Sequence, residues 1–313
     1  STSPTFDLAG LEALATVTLF LDSTLAGNDR TVTGTVGAGE TTLSLTAENC
    51  PQEALGYAVK VKQLDLAGNE SSWSPAMAPL LVIDTLAPPA PAAPDLEAAS
   101  DRGRSNTDNI TSDARPAIRI KGVEPVKLEP NARLSVTFDS GDNEYDQDAV
   151  AVLESGTELT VRPLNALADS TYSVFVKQED LAGNFSGISA LLVGLVIDTV
   201  ASPPTMPDLQ AAADSGRRND DNLTAVVRPV FDLHGLEAQA QATLSLLPAG
   251  GGPAITATGQ VELNKTSLTL TSPELVSGTY TVTAGQVDLA GNTSAPSAAL
   301  APGLIIDTLW PSP

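Results

Sequence analysis

Several residue types are scarce in this chain, and each scarcity excludes a class of function. The 313 residues include one cysteine, one histidine and only 4% aromatic residues. A single cysteine, Cys50, can form neither an intrachain disulfide nor a thiolate metal cluster. So few aromatic side chains argue against a nucleic-acid stacking surface or an aromatic-lined sugar cleft. No apolar run approaches the ~20 residues that a transmembrane helix needs.

Basic residues are also in short supply. The chain has 16 Lys and Arg against 38 Asp and Glu, which gives a formal net charge of −22. Nucleic acids and anionic membranes are bound through Lys and Arg, so we expect no nucleic-acid partner and no membrane insertion. A strongly acidic chain is instead soluble and suited to binding divalent cations.

What the chain does contain is an internal repeat. The sequence LVIDT ends at Thr85 and again at Thr199, and LIIDT ends at Thr308. The segment 94–111 (PDLEAASDRGRSNTDNIT) returns at 207–224 as PDLQAAADSGRRNDDNLT. We therefore divide the chain into repeat 1 (1–86), repeat 2 (87–200) and repeat 3 (201–313). Repeat 1 lacks the 94–111 type of segment, so we expect the sequence to be a piece of a larger protein that begins inside a repeat.

The repeat length and the residue pattern predict an all-β fold. A period of roughly 110 residues matches one β-sandwich domain of the immunoglobulin-like kind. In the segment that begins GYAVKVKQ, apolar Tyr57, Val59 and Val61 alternate with lysines, as on a half-buried strand. The proline-rich linkers 83–96 and 197–209 favour extended, semi-rigid backbone. We expect three tandem immunoglobulin-like β-sandwiches that form an elongated rod.

Acidic motifs recur at the predicted ends of the sandwiches. The motif DLAGN occupies 65–69, 180–184 and 288–292, where it would close the hairpin before the last strand and face the preceding repeat. We also place the loop of segment 94–111 at that end. The topology then predicts two groups of converging side chains. The first is Asp84, Asp101, Asp108, Asn109 and Asp180; the second is Asp198, Asp214, Asp221, Asn222 and Asp288.

Oxygen-rich groups of this kind point to calcium. Ca²⁺ takes six to eight oxygen ligands in a loose geometry, and unpaired clustered carboxylates would repel one another. Asp65 and Asp307 are expected to be half-sites. The acidic loop 139–148 of repeat 2 could bind calcium, but its spacing does not match an EF-hand, and we favour a solvated hairpin tip there. The alternative is that these Asp and Asn residues only form turns by bonding their own backbone.

Together the motifs DLAGNxS, (L/I)(V/I)IDT, APPxxPDL and DxGxxxxDN(I/L)T resemble the bacterial immunoglobulin-like repeats of giant surface adhesins exported by type I secretion. The resemblance covers essentially the whole chain. It implies a calcium-stiffened stalk outside the bacterial cell that supports attachment to host cells, surfaces or a biofilm. It further implies a monomer whose partners are its neighbouring repeats, with the host or surface ligand bound elsewhere in the parent protein.

Two other classes of function would each need particular residues. A module that binds carbohydrate or protein directly would need exposed aromatics, for which Trp73 and Trp310 are the candidates. An enzyme would need a nucleophile or an acid–base pair. The single histidine, His234, falls on the outward face of a predicted strand, far in sequence from Cys50. We therefore expect no catalytic activity.

Overall fold

The structure, a computed structural model, describes residues 2–121, 132–141, 146–152 and 158–309. Every regular element in these ranges is a β-strand, which confirms the predicted all-β class. None of the described residues forms a helix long and apolar enough to cross a membrane. The strands form three sandwiches in tandem, as the sequence predicts, and each sandwich has its own apolar core.

Repeat 1 consists of two small sheets. Its strands are β1 (Thr5–Ala9), β2 (Thr16–Asp22), β3 (Arg30–Thr35), β4 (Thr42–Thr46), β5 (Glu53–Leu64) and β6 (Leu81–Ile83). One sheet has the order β1-β4 and the other β3-β2-β5-β6. Leu19, Leu21 and Tyr57 are fully buried between them. The free cysteine, Cys50, belongs to the same core and donates its thiol hydrogen to the Ala47 carbonyl.

Within the described residues, repeat 2 has two more strands than repeat 1. Its strands are β7 (Asp95–Leu96), β8 (Ile110–Thr111), β9 (Ile118–Lys121), β10 (Arg133–Asp139), β11 (Asp146–Val152), β12 (Glu158–Val161), β13 (Ser170–Glu179) and β14 (Leu192–Ile197). The sheets are β12-β9-β7 and β11-β10-β13-β14-β8. Both extra strands, β7 and β8, come from the segment 94–111 that repeat 1 lacks.

Repeat 3 shows the same plan. Its strands are β15 (Asp208–Leu209), β16 (Leu223–Thr224), β17 (Val230–His234), β18 (Gln241–Pro248), β19 (Ile255–Gln260), β20 (Ser267–Thr271), β21 (Gly278–Val287) and β22 (Leu304–Ile306). They form the sheets β15-β17-β20 and β16-β22-β21-β18-β19. Phe231, Leu233 and Leu244 are fully buried, and each such side chain stabilises the fold by about 1.5–3 kcal/mol.

The strand that contains the tyrosine behaves as its alternation predicts. In repeat 3, Tyr280, Val282 and Ala284 are buried, while the residues between them face outward. The tyrosine hydroxyl donates to a carbonyl a few residues upstream in every repeat: Tyr57 to Pro51, Tyr172 to Ala168 and Tyr280 to Val276, at 2.9–3.0 Å. This is the tyrosine-corner arrangement of immunoglobulin-like sandwiches.

The edge strands decide where the acidic loops lie. β7 is antiparallel to β9, and β8 is parallel to the last strand, β14, with Val196 opposite Ile110 and Ile197 opposite Thr111. The Asp198 amide continues this pairing by donating to the Thr111 carbonyl at 3.0 Å. The loop between β7 and β8 therefore lies where β14 finishes.

Candidate metal centre between repeats 2 and 3

Three carboxylates from two repeats meet where repeat 2 ends. Asp198 directly follows β14, Glu237 follows β17, and Asp288 follows β21. One carboxylate oxygen from each lies within 4.8 Å of the other two. We call this group the acidic triad. Asp198 and Asp288 are residues that the sequence predicts to converge, and the structure brings them together.

The hairpin 288–292 explains the repeated DLAGN sequence. The Asp288 carboxylate accepts hydrogen bonds from the Asn292 amide and from the Asn292 side-chain nitrogen, both at 2.8 Å, which closes the turn. Gly291 has φ +86°, a backbone conformation that favours glycine. The same Asn292 nitrogen also donates to the Asp198 carbonyl at 2.7 Å. The motif is thus both a turn former and a link to the preceding repeat.

Glu237 is the member of the triad that is not among the residues predicted from the sequence. Its carboxylate accepts from the Ser202 amide in the linker at 2.9 Å, and its own amide donates to the Gln286 side-chain oxygen at 2.7 Å. The Gln286 side chain in turn donates to the Ser202 carbonyl at 2.7 Å. A signal was present, because the triplet GLE at 235–237 also occurs at 10–12. There the Glu12 amide bonds Gln63 in the same way, at 2.8 Å.

The electrostatics of the triad are unfavourable without a cation. Burial raises the pKa of Asp198, and the neighbouring charges of Asp288 and Asp169 raise it further. Burial likewise raises the pKa of Glu237, with added repulsion from Asp288 and Asp198. Among the described residues, no lysine or arginine forms a salt bridge with any of the three. Three carboxylates without a basic partner are a donor set suited to a hard cation such as Ca²⁺.

Asp101, Asp108 and Asn109 lie where β14 finishes, next to Asp198, rather than where the strand begins. Val196 donates its amide hydrogen to the Asn109 carbonyl at 2.8 Å, which fixes their position. The prediction that they lie at the end of repeat 2 where β13 finishes is therefore wrong, because β14 finishes opposite the start of β13, where Ser170 pairs with Ile197. The two-residue strand β7 is too short to show a period in the sequence, and only its antiparallel pairing with β9 defines it.

Asp214, Asp221 and Asn222 show the same error in repeat 3. The Asn222 carbonyl accepts from the Ile305 amide at 2.9 Å, so these residues lie next to the end of β22 and Asp307. Asp288 follows the opposite end of β21, whose first residue, Gly278, pairs with Ile306. Ten residues of strand separate the two ends, which is about 30 Å. The predicted five-residue group with Asp198 and Asp288 is therefore wrong.

Each of these two loops nevertheless holds a buried, unsatisfied carboxylate oxygen. Asp101 and Asp214 are both 4% exposed. One oxygen of Asp214 accepts from the Asp221 and Asn222 amides at 3.1 and 3.0 Å, and one oxygen of Asp101 accepts from Asn109 at 3.3 Å. The Oδ1 atom of each aspartate has no hydrogen-bond partner. Burial raises the pKa of Asp101, and the nearby Asp108 charge adds to this.

The repeat 1 end of the chain carries the equivalent features. Asn184 closes the hairpin 180–184 on Asp180 at 2.8 and 2.9 Å, and its side chain donates to the Asp84 carbonyl at 3.3 Å. Burial would raise the pKa of Asp180, but hydrogen bonds from Asn184 and the hairpin amides outweigh it, and the pKa is lowered. Glu124, the residue of repeat 2 equivalent to Glu237, lies outside the described residues. Asp142 and Glu144 of the acidic loop also lie outside them, and no side chain is described for Asp146 or Asp148 of that loop. Trp310, the second aromatic candidate, lies outside the described residues as well.

Trp73, His234 and Cys50, the residues considered for ligand binding or catalysis, make their contacts within their own repeats. The Trp73 ring packs against Phe20 with 5.9 Å between ring centroids, and the Lys62 ammonium lies 4.9 Å from the Trp73 centroid. His234 is exposed, and its main-chain carbonyl accepts from the Thr205 amide. Burial raises the pKa of the Cys50 thiol.

Comparison with known proteins agrees with this architecture. The sequence profile described as "Bacterial Ig-like domain" matches residues 87–199 and 200–308. Among curated proteins, none has a sequence that matches this chain.

Several solved structures match this chain at low sequence identity. A tetra-tandem repeat from the extending region of a large adhesion protein is 18% identical and covers 98% of this chain and 71% of its own, with a TM-score of 0.31. A solved chain described under the host cell surface retention of a 1.5-MDa bacterial ice-binding adhesin is 16% identical, and the match covers 94% of this chain and 88% of that solved chain, with a TM-score of 0.36. Domains from titin are 12% identical over 96% and 92%, with a TM-score of 0.40.

Proposed function

Because the chain belongs to the bacterial immunoglobulin-like domain family, we propose that it is a stalk segment of a bacterial surface adhesin whose joints are stiffened by calcium. The observation that carries the proposal is the acidic triad, which joins a carboxylate from the end of repeat 2 to two from repeat 3. The stalk would lie outside the cell, reached by type I secretion, and would hold a ligand-binding region of the parent protein away from the surface.

Calcium would act on the joint by changing the balance of charge. Without it, Asp198 of one repeat repels Glu237 and Asp288 of the next, which favours separation of the two repeats. With Ca²⁺, the same three carboxylates would become ligands of one ion and would restrain the repeats against each other. The hydrogen bonds from Asn292 and Gln286 to the linker already hold the backbone of both repeats in place for this.

A second calcium position in each of repeats 2 and 3 is proposed in the loops that contain Asp101 and Asp214. In both loops a buried carboxylate oxygen without a hydrogen-bond partner lies near a second acidic residue, Asp108 or Asp221. An unsatisfied buried carboxylate oxygen is costly, and a bound cation would remove that cost. Asn109 and Asn222, both at positive φ, complete the two loops.

Small-angle scattering of the full chain with calcium and with chelator tests the proposal. We expect the maximum dimension and the rigidity to decrease with chelator, while the β-sheet circular dichroism stays unchanged. Even in calcium, the variant Asp288→Asn should show a smaller maximum dimension and a lower rigidity, because the joint between repeats 2 and 3 would behave as it does in chelator. Its matched control is Asp65→Asn, because the hairpin 65–69 has the same internal hydrogen bonds but no repeat on its N-terminal side within residues 1–313. Identical scattering curves in the two conditions would contradict calcium stiffening.

A direct ligand-binding role has less support in the described residues. Trp73, the exposed aromatic candidate, packs against Phe20 and Lys62 of its own repeat. Catalysis also has less support, because His234 and Cys50 lie in different repeats and bacterial immunoglobulin-like repeats are typically not catalytic.

A further inference from the structure

Repeat 2 also contacts repeat 3 at a point outside the acidic triad. The contact is made by residues 102–104 of the loop between β7 and β8, which we call the clasp. The Arg104 amide donates to the Leu289 carbonyl at 3.1 Å, and the Arg104 guanidinium donates to the Gln239 carbonyl at 2.7 Å. Both acceptors are main-chain atoms of repeat 3.

Gly103 makes the close approach of the two backbones possible. Its φ of +135° favours glycine, and a Cβ added there would lie 2.1 Å from the Leu289 carbonyl oxygen. Across the contact, a Cβ added to Gly291 would lie 3.1 Å from the Gly103 Cα. Two glycines therefore face each other, one in each repeat, and neither position has room for a side chain without a shift.

Comparison of the three DLAGN hairpins shows that the clasp covers its target. Leu66 and Leu181, in the hairpins of repeats 1 and 2, are 76% and 81% exposed. The equivalent Leu289 is only partly exposed, and the neighbouring Ala290 is completely buried. The hairpin sequence is the same in all three, so the difference comes from what lies against repeat 3.

We propose that the clasp is a docking element by which one repeat recognises the DLAGN hairpin of the next through hydrogen bonds that Arg104 donates to main-chain carbonyls. The role of the clasp rests on the stalk function proposed above. None of the clasp contacts involves a residue of the acidic triad. The partner it fits is a DLAGN hairpin with a positive-φ residue at the Gln239 position. Gln239 has φ +61° and Leu14, its equivalent in repeat 1, has φ +66°, so both repeats present this carbonyl in the same conformation.

Repeat 3 carries the same pair of residues in its own loop, Gly216 and Arg217. Gly216 is not among the positive-φ glycines, and a Cβ there would meet the Leu223 carbonyl of its own loop at 2.8 Å. No hairpin of the described residues lies against it. These two positions therefore supply matched control variants for the clasp.

Distance measurements between spin labels on the full chain test the clasp. Labels at Asn165 and Thr256, both exposed, report the joint between repeats 2 and 3 after Cys50 is replaced by alanine. We expect a broader and shifted distance distribution for Gly103→Ala and for Arg104→Ala, in calcium and in chelator alike. The controls Gly216→Ala and Arg217→Ala should leave the distribution unchanged.

The two proposals can fail separately. If both clasp variants give the wild-type distribution in calcium and in chelator, the clasp is refuted, whatever chelator does to the wild type. If chelator leaves the wild type unchanged while the clasp variants broaden it, the clasp stands and calcium stiffening fails. Because Gly103→Ala could act by unfolding its loop, hydrogen exchange provides a second measurement. Faster exchange confined to residues 102–105 and 289–291 supports loss of the docking contact, whereas faster exchange throughout repeat 2 with unchanged exchange at 289–291 overturns it.

Discussion

Replacement of Glu237 by glutamine should have opposite consequences for the stability of repeat 3 and for its response to calcium. Glutamine keeps the size of the side chain and can still accept the hydrogen bond that the Ser202 amide donates at 2.9 Å. It removes one of the three negative charges of the acidic triad. In chelator this should relieve repulsion, and in calcium it should remove a ligand.

The magnitude follows from the geometry of the triad. With oxygens within 4.8 Å, Coulomb's law gives about 0.9 kcal/mol for each pair of charges in bulk water and about 3.5 kcal/mol at an effective dielectric constant of about 20. Asp198 and Glu237 are only partly buried, so the lower figure applies, at about 1 kcal/mol per pair. The substitution removes two pairs. We expect about 2 kcal/mol of stabilisation in chelator, or roughly 8 °C in the unfolding midpoint of a domain of this size.

Calcium should reverse the stability advantage that Glu237→Gln has over the wild type in chelator. At a concentration of about 100 times Kd, a bound ligand adds about 2.7 kcal/mol to the free energy of unfolding. A 100-fold loss of affinity in Glu237→Gln would reduce that gain to about 0.4 kcal/mol. Differential scanning calorimetry of the full chain, with a calcium titration and a chelated reference, measures both numbers.

The matched control is Glu12→Gln. Glu12 occupies the same GLE position in repeat 1 and makes the same main-chain hydrogen bond to a glutamine, Gln63. No repeat lies N-terminal to it within residues 1–313, so its replacement should leave the calcium response of repeat 3 unchanged. If Glu237→Gln neither stabilises the chelated protein nor reduces the calcium-dependent gain, the three carboxylates do not act as one site.

Two further predictions concern pH and the tyrosine corner. In chelator, the raised pKa values of Asp198 and Glu237 mean that the folded state binds protons more readily than the unfolded state. The stability that this proton binding contributes should be fully present below the ordinary pKa values of 3.8 and 4.5. It should be lost as the pH rises through the raised values. Thermal melts at several pH values, repeated in saturating calcium where protons compete with the ion and the slope should reverse, would detect this; a flat profile in chelator would contradict it. Tyr280→Phe removes the hydroxyl that donates to the Val276 carbonyl at 2.9 Å and should cost repeat 3 about 1 kcal/mol in urea denaturation. An unchanged midpoint would show that this bond contributes nothing net.

Much of the fold could be predicted from the sequence because it depends on local and periodic features. The spacing of the IDT and DLAGN motifs indicates the repeat, and the alternation around Tyr57 indicates a strand with one buried face. The hairpin 288–292 is also local, since Asp288 and Asn292 bond each other across four residues. The meeting of Asp198 and Asp288 follows from the antiparallel order of the last two strands.

Other features depended on contacts between distant parts of the chain. Two-residue strands such as β7 and β8 have too few residues to show a period, and only their pairing with β9 and β14 defines them. That pairing decides that Asp101 and Asp108 lie beside Asp198. The third member of the triad, Glu237, and the clasp residue Arg104 likewise depend on how a loop of one repeat meets the next. Sequence alone determines which residues can form a strand, a turn or an oxygen ligand, because those properties are local. Only the tertiary structure decides which of them meet, because strand pairing at the sheet edges fixes the end of the sandwich at which each loop lies.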